Sequence, residues 1–182
     1  MTETELIGAL SGSRSAGLID GLADRIRREA SVGGLYRLVA DPARWPAGAD
    51  RLRILFRGGC VLERIYFADR AAFLPWAGDF CSRGFSACEH PGLRRLFAKI
   101  MADLLERLSP DTQSLEEIAE TAAGWAVAPG TKIAVRIWAM EVLKRCRGRV
   151  AWVDDAWEDL LELQMQGASP GIEKRLRHSW RR

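Results

Sequence analysis

Apolar residues recur along this chain at the three- and four-residue spacing of amphipathic helices. The clearest run consists of Leu93, Leu96, Phe97, Ile100, Met101, Leu104, Leu105 and Leu108. This run places one apolar stripe on a helix that starts after Pro91 and stops at Ser109-Pro110. No stretch alternates apolar and polar residues as a half-exposed strand does. The pattern therefore predicts an all-α protein.

The same spacing predicts roughly 8 to 10 helices in the whole chain. An early helix must end before Asp41-Pro42, because a residue that precedes proline avoids helical geometry. Asp111 or Ser114 can cap the helix that follows Pro110, and Thr131 can cap the next one. Apolar residues cover more than one side of the segment 133–146, so we expect that helix to be central.

The chain also repeats itself. Residues 91–107 align without a gap on residues 129–145, at an offset of 38. The segment 51–64 aligns with the segment that starts at Arg94, at an offset of 43. Pro170-Gly171 matches the start of a further unit near the C-terminus. Units of about 40 residues with two antiparallel helices are typical of HEAT-like solenoids. The repeat predicts an α-α superhelix; the alternative is an irregular bundle whose loops share Pro-Gly.

We expect a single domain, residues 1–182, because this length suits one domain of ordinary size. Its predicted parts are irregular N-terminal helices (1–49), three helix-hairpin repeats (50–88, 91–127 and 129–166) and a C-terminal capping helix (169–182). The N-terminal part shows helical spacing without the repeat.

Three stretches in the C-terminal half form a recognisable series: VRIWAMEVL at 135–143, LLE at 160–162 and PGIEKR at 170–175. Together they resemble a family of small bacterial HEAT-like proteins, over roughly residues 50 to 180. The resemblance implies an all-helical fold and brings no catalytic residues, because the family has no established activity. Some members carry a lyase-type label, yet nothing in this chain resembles the signature loop of a fumarase-type lyase. Glu173 departs from the basic ending usual in that family.

Composition excludes several classes of protein. Apolar residues make up 48% and charged residues 28%, as in globular proteins rather than disordered ones. The longest uncharged stretch, 121–131, is well short of the roughly 18 residues that indicate a membrane span. Glu3 and Glu5 stand where a secretory signal would need basic residues. These features predict a cytoplasmic protein that does not bind membranes.

Charge alternates strongly along the second half of the chain. Residues 111–128 and 151–169 hold four and five acids and no base, whereas 129–150 and 170–182 hold six and five bases with one acid each. In a two-layer solenoid, alternation in sequence becomes segregation in space. The predicted basic surface consists of Arg51, Arg94, Arg95, Lys99, Lys132, Arg136, Lys174 and Arg175. The predicted acidic layer consists of Glu116, Glu117, Glu120, Asp154, Asp155, Glu158 and Asp159.

Two explanations fit this segregation. Basic and acidic helices can neutralise each other along shared edges, or the basic surface can attract an acidic partner through its field. Under either explanation, the aligned positions Arg51, Arg94 and Lys132 are expected to form a row. A net charge of +3 is low for a domain that binds nucleic acid tightly. The expected partner is therefore an acidic protein or peptide segment, with nucleic acid as the alternative.

No motif assembles reactive groups. His90 and His178, the two histidines, have no serine, cysteine or carboxylate partner at a diagnostic spacing. The acidic turn at Asp154-Asp155 suits the helix dipole better than a cation. The four cysteines (Cys60, Cys81, Cys88 and Cys146) form no CxxC pair, which favours reduced structural thiols over a zinc site. We expect no cofactor and no metal.

Most of the tryptophans fall on apolar faces, where they are expected to pack in the core. Trp180, among the arginines near the C-terminus, can either cover the end of a solenoid or stack on a ligand.

The predicted function is a non-enzymatic scaffold that binds a macromolecule through one charged face. The alternative is an enzyme similar to HEAT-like alkyl-base DNA glycosylases. In that case Trp138, Trp157 and Asp154 or Asp155 are the candidates for engaging damaged DNA, although no motif fixes their roles.

Overall fold

The structure is a computed structural model that describes residues 1–12, 17–166 and 168–181. In these residues the chain is all-helical, as predicted, with eleven α-helices and no strand. The helices are α1 Glu3–Ser11, α2 Leu18–Arg28, α3 Val32–Ala40, α4 Arg51–Ala68, α5 Leu74–Asp79, α6 Pro91–Leu104, α7 Thr112–Val127, α8 Ile133–Cys146, α9 Ala151–Asp155, α10 Trp157–Met165 and α11 Pro170–Arg175. Wider π-type turns, Phe80–Gly84 and Leu176–Trp180, extend α5 and α11. The last residue of the predicted capping helix, 182, lies outside the described part.

Local sequence signals explain where several of these helices begin. Pro91 opens α6, and the side chain of His90 accepts the N–H of Gly92 as a cap. Asp111, rather than Ser114, caps α7. The prediction that Thr131 caps α8 is wrong. The N-cap position is occupied by Lys132, the next residue, and no side chain caps this helix.

The helices α2, α4, α6, α8 and α11 lie side by side in one layer, which we call the first layer. The register is shown by ion pairs between neighbours. Arg64 on α4 pairs with Asp20 on α2 at 2.8 Å, and Glu63 pairs with Lys99 on α6 at 2.9 Å. Further along, Arg175 on α11 hydrogen-bonds Glu141 on α8 at 2.7 Å. Arg27, seven residues after Asp20, reaches Asp69, five residues after Arg64, so α2 and α4 run in the same direction. In the same way Lys144, three residues after Glu141, reaches Ser179, four residues after Arg175. The neighbours in this layer therefore run parallel.

A second layer contains α3, α5 with its π-type turn, α7 and α10. Tyr36 on α3 donates to Asp79 at the end of α5, at 2.5 Å. The next contacts along the layer are an aromatic one between Phe85 and Trp125, with ring centroids 4.7 Å apart, and a hydrogen bond from Gln164 on α10 to α7. Consecutive contacts again join residues about 40 positions apart. The layers are joined most closely by α7 and α8.

A continuous apolar core fills the space between the layers. Near its centre Phe80 makes edge-on contacts with Phe73 and Phe97, at centroid distances of 5.6 and 5.1 Å. The helix α8 packs against α6, α7 and α11, so it occupies the central position that its apolar residues indicate. Across the described residues, no helix is both long enough and apolar enough to span a membrane.

Candidate functional site

The eight residues of the predicted basic surface all belong to the first layer or to the turn that enters it, but they have two kinds of environment. Arg95, Lys99 and Arg175 form ion pairs with carboxylates of the same layer. For the other five no ion pair is found within the described ranges: Arg51, Arg94, Lys132, Arg136 and Lys174. The structure therefore separates one predicted surface into two.

Two of the paired residues, Lys99 and Arg175, line a cleft of about 250 Å³ on the outer side of the first layer, which we call the central cleft. It is lined by Phe67, Lys99, Ala102, Asp103, Glu106, Trp138, Glu141, Arg145 and Arg175. The half-buried ring of Trp138 lies between two cations, with the Lys99 ammonium 5.9 Å and the Arg175 guanidinium 5.7 Å from its centroid. The Lys99 ammonium is also 4.4 Å from the ring centroid of Phe67.

The charges of the central cleft neutralise one another. Lys99 pairs with Glu63 at 2.9 Å, Arg145 pairs with Glu106, and Arg175 pairs with Glu141. Glu63 belongs to α4, Glu106 to the turn that follows α6, and Glu141 to α8. Basic residues of the first layer are therefore neutralised by acids of the same layer. This pairing leaves the cleft polar and aromatic but with little net charge.

Asp103 fastens α6 to the end of α4 beside the cleft. It accepts hydrogen bonds from the Tyr66 hydroxyl at 2.6 Å and from two nitrogens of Arg70 at 2.8 and 2.9 Å. The bond from the Arg70 guanidinium holds the pKa of Asp103 well below its usual range, and burial raises the pKa of Tyr66. Asp103 is therefore ionised at neutral pH. No sequence spacing linked these three residues.

Glu141 fastens the C-terminal turn to α8. Only 5% of this residue is exposed, and its Oε1 accepts from Arg175 and from the indole N–H of Trp180, at 2.7 and 2.9 Å. Trp180 is itself fully buried, and its carbonyl accepts the indole N–H of Trp157 at 3.2 Å. Of the two roles considered for Trp180, the structure places its ring as a cover over the end of the core.

The residues considered for DNA chemistry do not gather at one place. Trp138 opens into the central cleft, whereas Trp157 is 2% exposed and belongs to the core. Asp154 accepts from Arg147 and from the backbone N–H of Gly148 at 2.7 Å, in the turn that leads into α9. Asp155 is exposed.

The second surface lies at the N-terminal ends of α6 and α8. Glu106 pairs with Arg145, 39 residues further on, and this register sets Arg94 level with Lys132. Arg136 follows one turn inside α8 and hydrogen-bonds an amide rather than a carboxylate. We call Arg94, Lys132 and Arg136 the basic edge.

Arg51 and Lys174 are displaced along the helix axes from the basic edge. Glu63 pairs with Lys99, 36 residues further on, whereas the sequence alignment shifted α4 by 43 residues. Arg51 therefore lies about two helical turns, about 10 Å along the helix axis, before the level of Arg94 and Lys132. The predicted row of three was wrong in this respect, because α4 has 18 residues and α6 has 14, and the extra turn of α4 is at its N-terminal end. Lys174 is displaced in the opposite direction. Its neighbour Arg175 pairs with Glu141 of α8, so Lys174 lies further toward the C-terminal end of α8 than the basic edge does.

Most of the acids predicted for the opposite layer also lack an ion pair with any described residue. Glu116 accepts from the Trp152 indole at 2.9 Å and Asp154 pairs with Arg147. The remaining five make no ion pair with any described residue: Glu117, Glu120, Asp155, Glu158 and Asp159. Basic and acidic helices thus do not neutralise each other at these positions, and the recognition role remains a prediction.

Three of the four cysteines and one of the two histidines are buried, whereas Cys60 is half-buried and His178 is exposed. Burial raises the pKa of Cys81 to about 11 and that of Cys88 and Cys146 to about 12, so these thiols stay protonated. His90 accepts the Gly92 N–H through Nδ1, so its Nε2 carries the proton and donates to a backbone carbonyl at 3.0 Å. Among the residues described, no three His, Cys, Asp or Glu side chains are grouped as metal ligands.

Comparison with known proteins does not assign the chain to a family. No protein-family model, no curated protein and no solved structure matches it. The arguments about function therefore rest on the central cleft, the basic edge and the packing of the helices.

Proposed function

We propose that this protein is a non-enzymatic helical-repeat scaffold of the HEAT-like type, which binds an acidic macromolecular partner through its basic edge. The repeat is supported by contacts between successive helices, which join residues 34 to 38 positions apart, close to the ~40 residues of HEAT-like units. Such proteins offer extended surfaces built from successive units, and binding is the use to which those surfaces are suited.

One observation carries the proposal: Arg94 and Lys132 are level with each other, Arg136 follows one turn later on α8, and none of the three has a carboxylate partner in the described structure. Cations already paired with carboxylates contribute little field, whereas clustered unpaired cations attract anions over about a Debye length. The N-terminal ends of α6 and α8 add their partial positive charges at the same edge. The acidic partner would therefore be attracted to this edge more than to the neutralised cleft.

The test is binding of a fluorescent glutamate-rich peptide, measured by anisotropy between about 50 and 300 mM salt. Lys132→Glu is the test variant, because Lys132 is exposed and an acid at a helix N-terminus does not destabilise the helix. Arg28→Glu is the matched control, since Arg28 is exposed at the C-terminal end of α2 and carries the same charge.

We expect wild type and Arg28→Glu to bind similarly and to weaken as salt rises. Lys132→Glu should lose about tenfold in affinity at low salt and show a shallower salt dependence. Equal losses in the two variants would mean that only net charge matters, and the basic edge would then not be the binding site.

A second candidate is an enzyme acting on DNA, which one observation favours. Trp138 is half exposed in the central cleft between Lys99 and Arg175, and an aromatic ring flanked by cations suits a base with its phosphate. This candidate predicts binding to alkylated duplex DNA and release of the modified base, both lost in Trp138→Ala. The absence of salt-sensitive DNA binding in wild type would reject it.

A further inference from the structure

Three large apolar side chains stand half exposed next to the basic edge. Val127 is 49%, Ile133 47% and Leu163 45% exposed. They lie at the end of α7, the start of α8 and the last turn of α10, so residues from three helices meet here. We call Val127, Ile133 and Leu163 the apolar patch.

A buried amide fixes the relative positions of these helix ends. Gln164 is fully buried, and its Nε2 donates to the carbonyl of Ala126 at 3.2 Å. Its Oε1 accepts from Arg136 at 2.9 Å. One side chain thus joins α10 to the end of α7 and the first turn of α8. Because a buried amide with both ends bonded resists displacement, the apolar patch is formed before any partner arrives.

Cations border the apolar patch on two sides. Lys132 directly precedes Ile133, and the guanidinium of Arg136 lies 3.5 Å from the carbonyl oxygen of Leu163. An exposed acid, Glu162, precedes Leu163 in α10. The surface therefore combines half-exposed apolar side chains with unpaired positive charge.

We infer that the partner, given the proposed function on which this inference rests, is an acidic amphipathic segment whose apolar side chains cover the apolar patch. Its carboxylates face Lys132 and Arg136, while two or three apolar side chains on one side of a short helix contact Ile133 and its neighbours. Helical segments dock in this way through residues spaced three and four apart. Charge sets the orientation, and apolar contact supplies the discrimination between acidic partners.

Other occupants fit the surface less well. A second copy of this chain would bring two basic edges together if it used the same surface. Insertion into a lipid surface needs apolar side chains that project freely, whereas each of these three is about half covered by its neighbours. Phosphates of a nucleic acid would match the cations but would leave the apolar patch exposed.

The test compares two synthetic peptides of equal length and charge. One is an acidic helix with leucines at positions i, i+3 and i+7, and in the other the leucines are serines. We expect wild type to bind the leucine peptide about tenfold more tightly. The double variant Ile133→Ser with Leu163→Ser should bind both peptides equally and retain their salt dependence. Leu74→Ser, at a residue 53% exposed on α5, is the matched control and should preserve the tenfold preference.

Each outcome separates this inference from the proposed function. Equal binding of the two peptides by wild type overturns the inference and leaves the proposed function standing. Binding of neither peptide rejects both. Two further results overturn the inference: wild type binds vesicles with anionic lipid and the double variant does not, or wild type self-associates in sedimentation and the double variant does not. Since the peptide comparison is made on wild type, the inference stays testable even if a variant fails to fold.

Discussion

Packing between α4 and α6 makes a strong prediction at Gly59, in the middle of α4. A Cβ atom at this position would overlap the side chain of Leu93 and lie 2.9 Å from Cδ1 of Leu96. Both leucines are fully buried in the core, so neither can turn away without displacing its neighbours. Gly59→Ala therefore forces either a new leucine rotamer or a shift of α6 away from α4.

The expected size follows from two opposing effects. Overpacking a well-packed core costs about 1–3 kcal/mol, and the overlap with two leucines places this site near the upper end. Replacing glycine by alanine inside a helix gains about 1 kcal/mol. The net loss of unfolding free energy is then about 2 kcal/mol, which lowers the Tm of a chain of this length by about 4–8 °C.

Gly124→Ala in α7 is the matched control, because a Cβ there meets none of the described atoms within 4 Å. It should gain about 0.5–1 kcal/mol through helix propensity alone. Urea unfolding followed by circular dichroism measures both variants. If Gly59→Ala stabilises the protein as Gly124→Ala does, α4 and α6 do not touch at this point and the order of the first layer is refuted.

Two further predictions concern titratable groups. Because the pKa of Asp103 is depressed in the folded protein, its contribution to stability is complete above about pH 4 and is lost as the pH falls further. The difference in unfolding free energy between wild type and Asp103→Asn should accordingly be largest near neutral pH and shrink in acid; an unchanged difference at pH 3 would contradict the assignment. Thiol labelling at about pH 8 should modify Cys60 first, since it is half-buried and the other three cysteines are buried. A native protein in which all four react at one rate would contradict the packing of the core.

The sequence predicted the helices α6 and α8 well because each starts near a Pro-Gly turn and carries many apolar residues at helical spacing. It missed α1, whose signal is the capping box formed by Thr2 and Glu5. It also separated residues 1–49 from the repeats. In the structure α2 and α3 join the two layers, and without a Pro-Gly opening the self-alignment could not find them.

The candidate surfaces were predicted only in part, for a physical reason. The self-alignment of the sequence assigned the basic residues to one layer, but which of them are neutralised depends on register. Glu63 and Glu141 reach cations on the next helix because the real offsets are 36 and 34 residues. A change of one turn would have given these acids different partners. The apolar patch depends on Gln164, a residue whose burial no local pattern indicated.

The parallel course of the first-layer helices has an electrical consequence. The second-layer helices return in the opposite direction, so the peptide dipoles of the two layers largely cancel over the whole molecule, but within the first layer the positive helix ends all lie on one side. At the starts of α6 and α8 these backbone partial charges stand beside Arg94 and Lys132. An anionic body that approaches this side therefore meets backbone and side-chain positive charge together, which favours encounter complexes in which this side faces the anion.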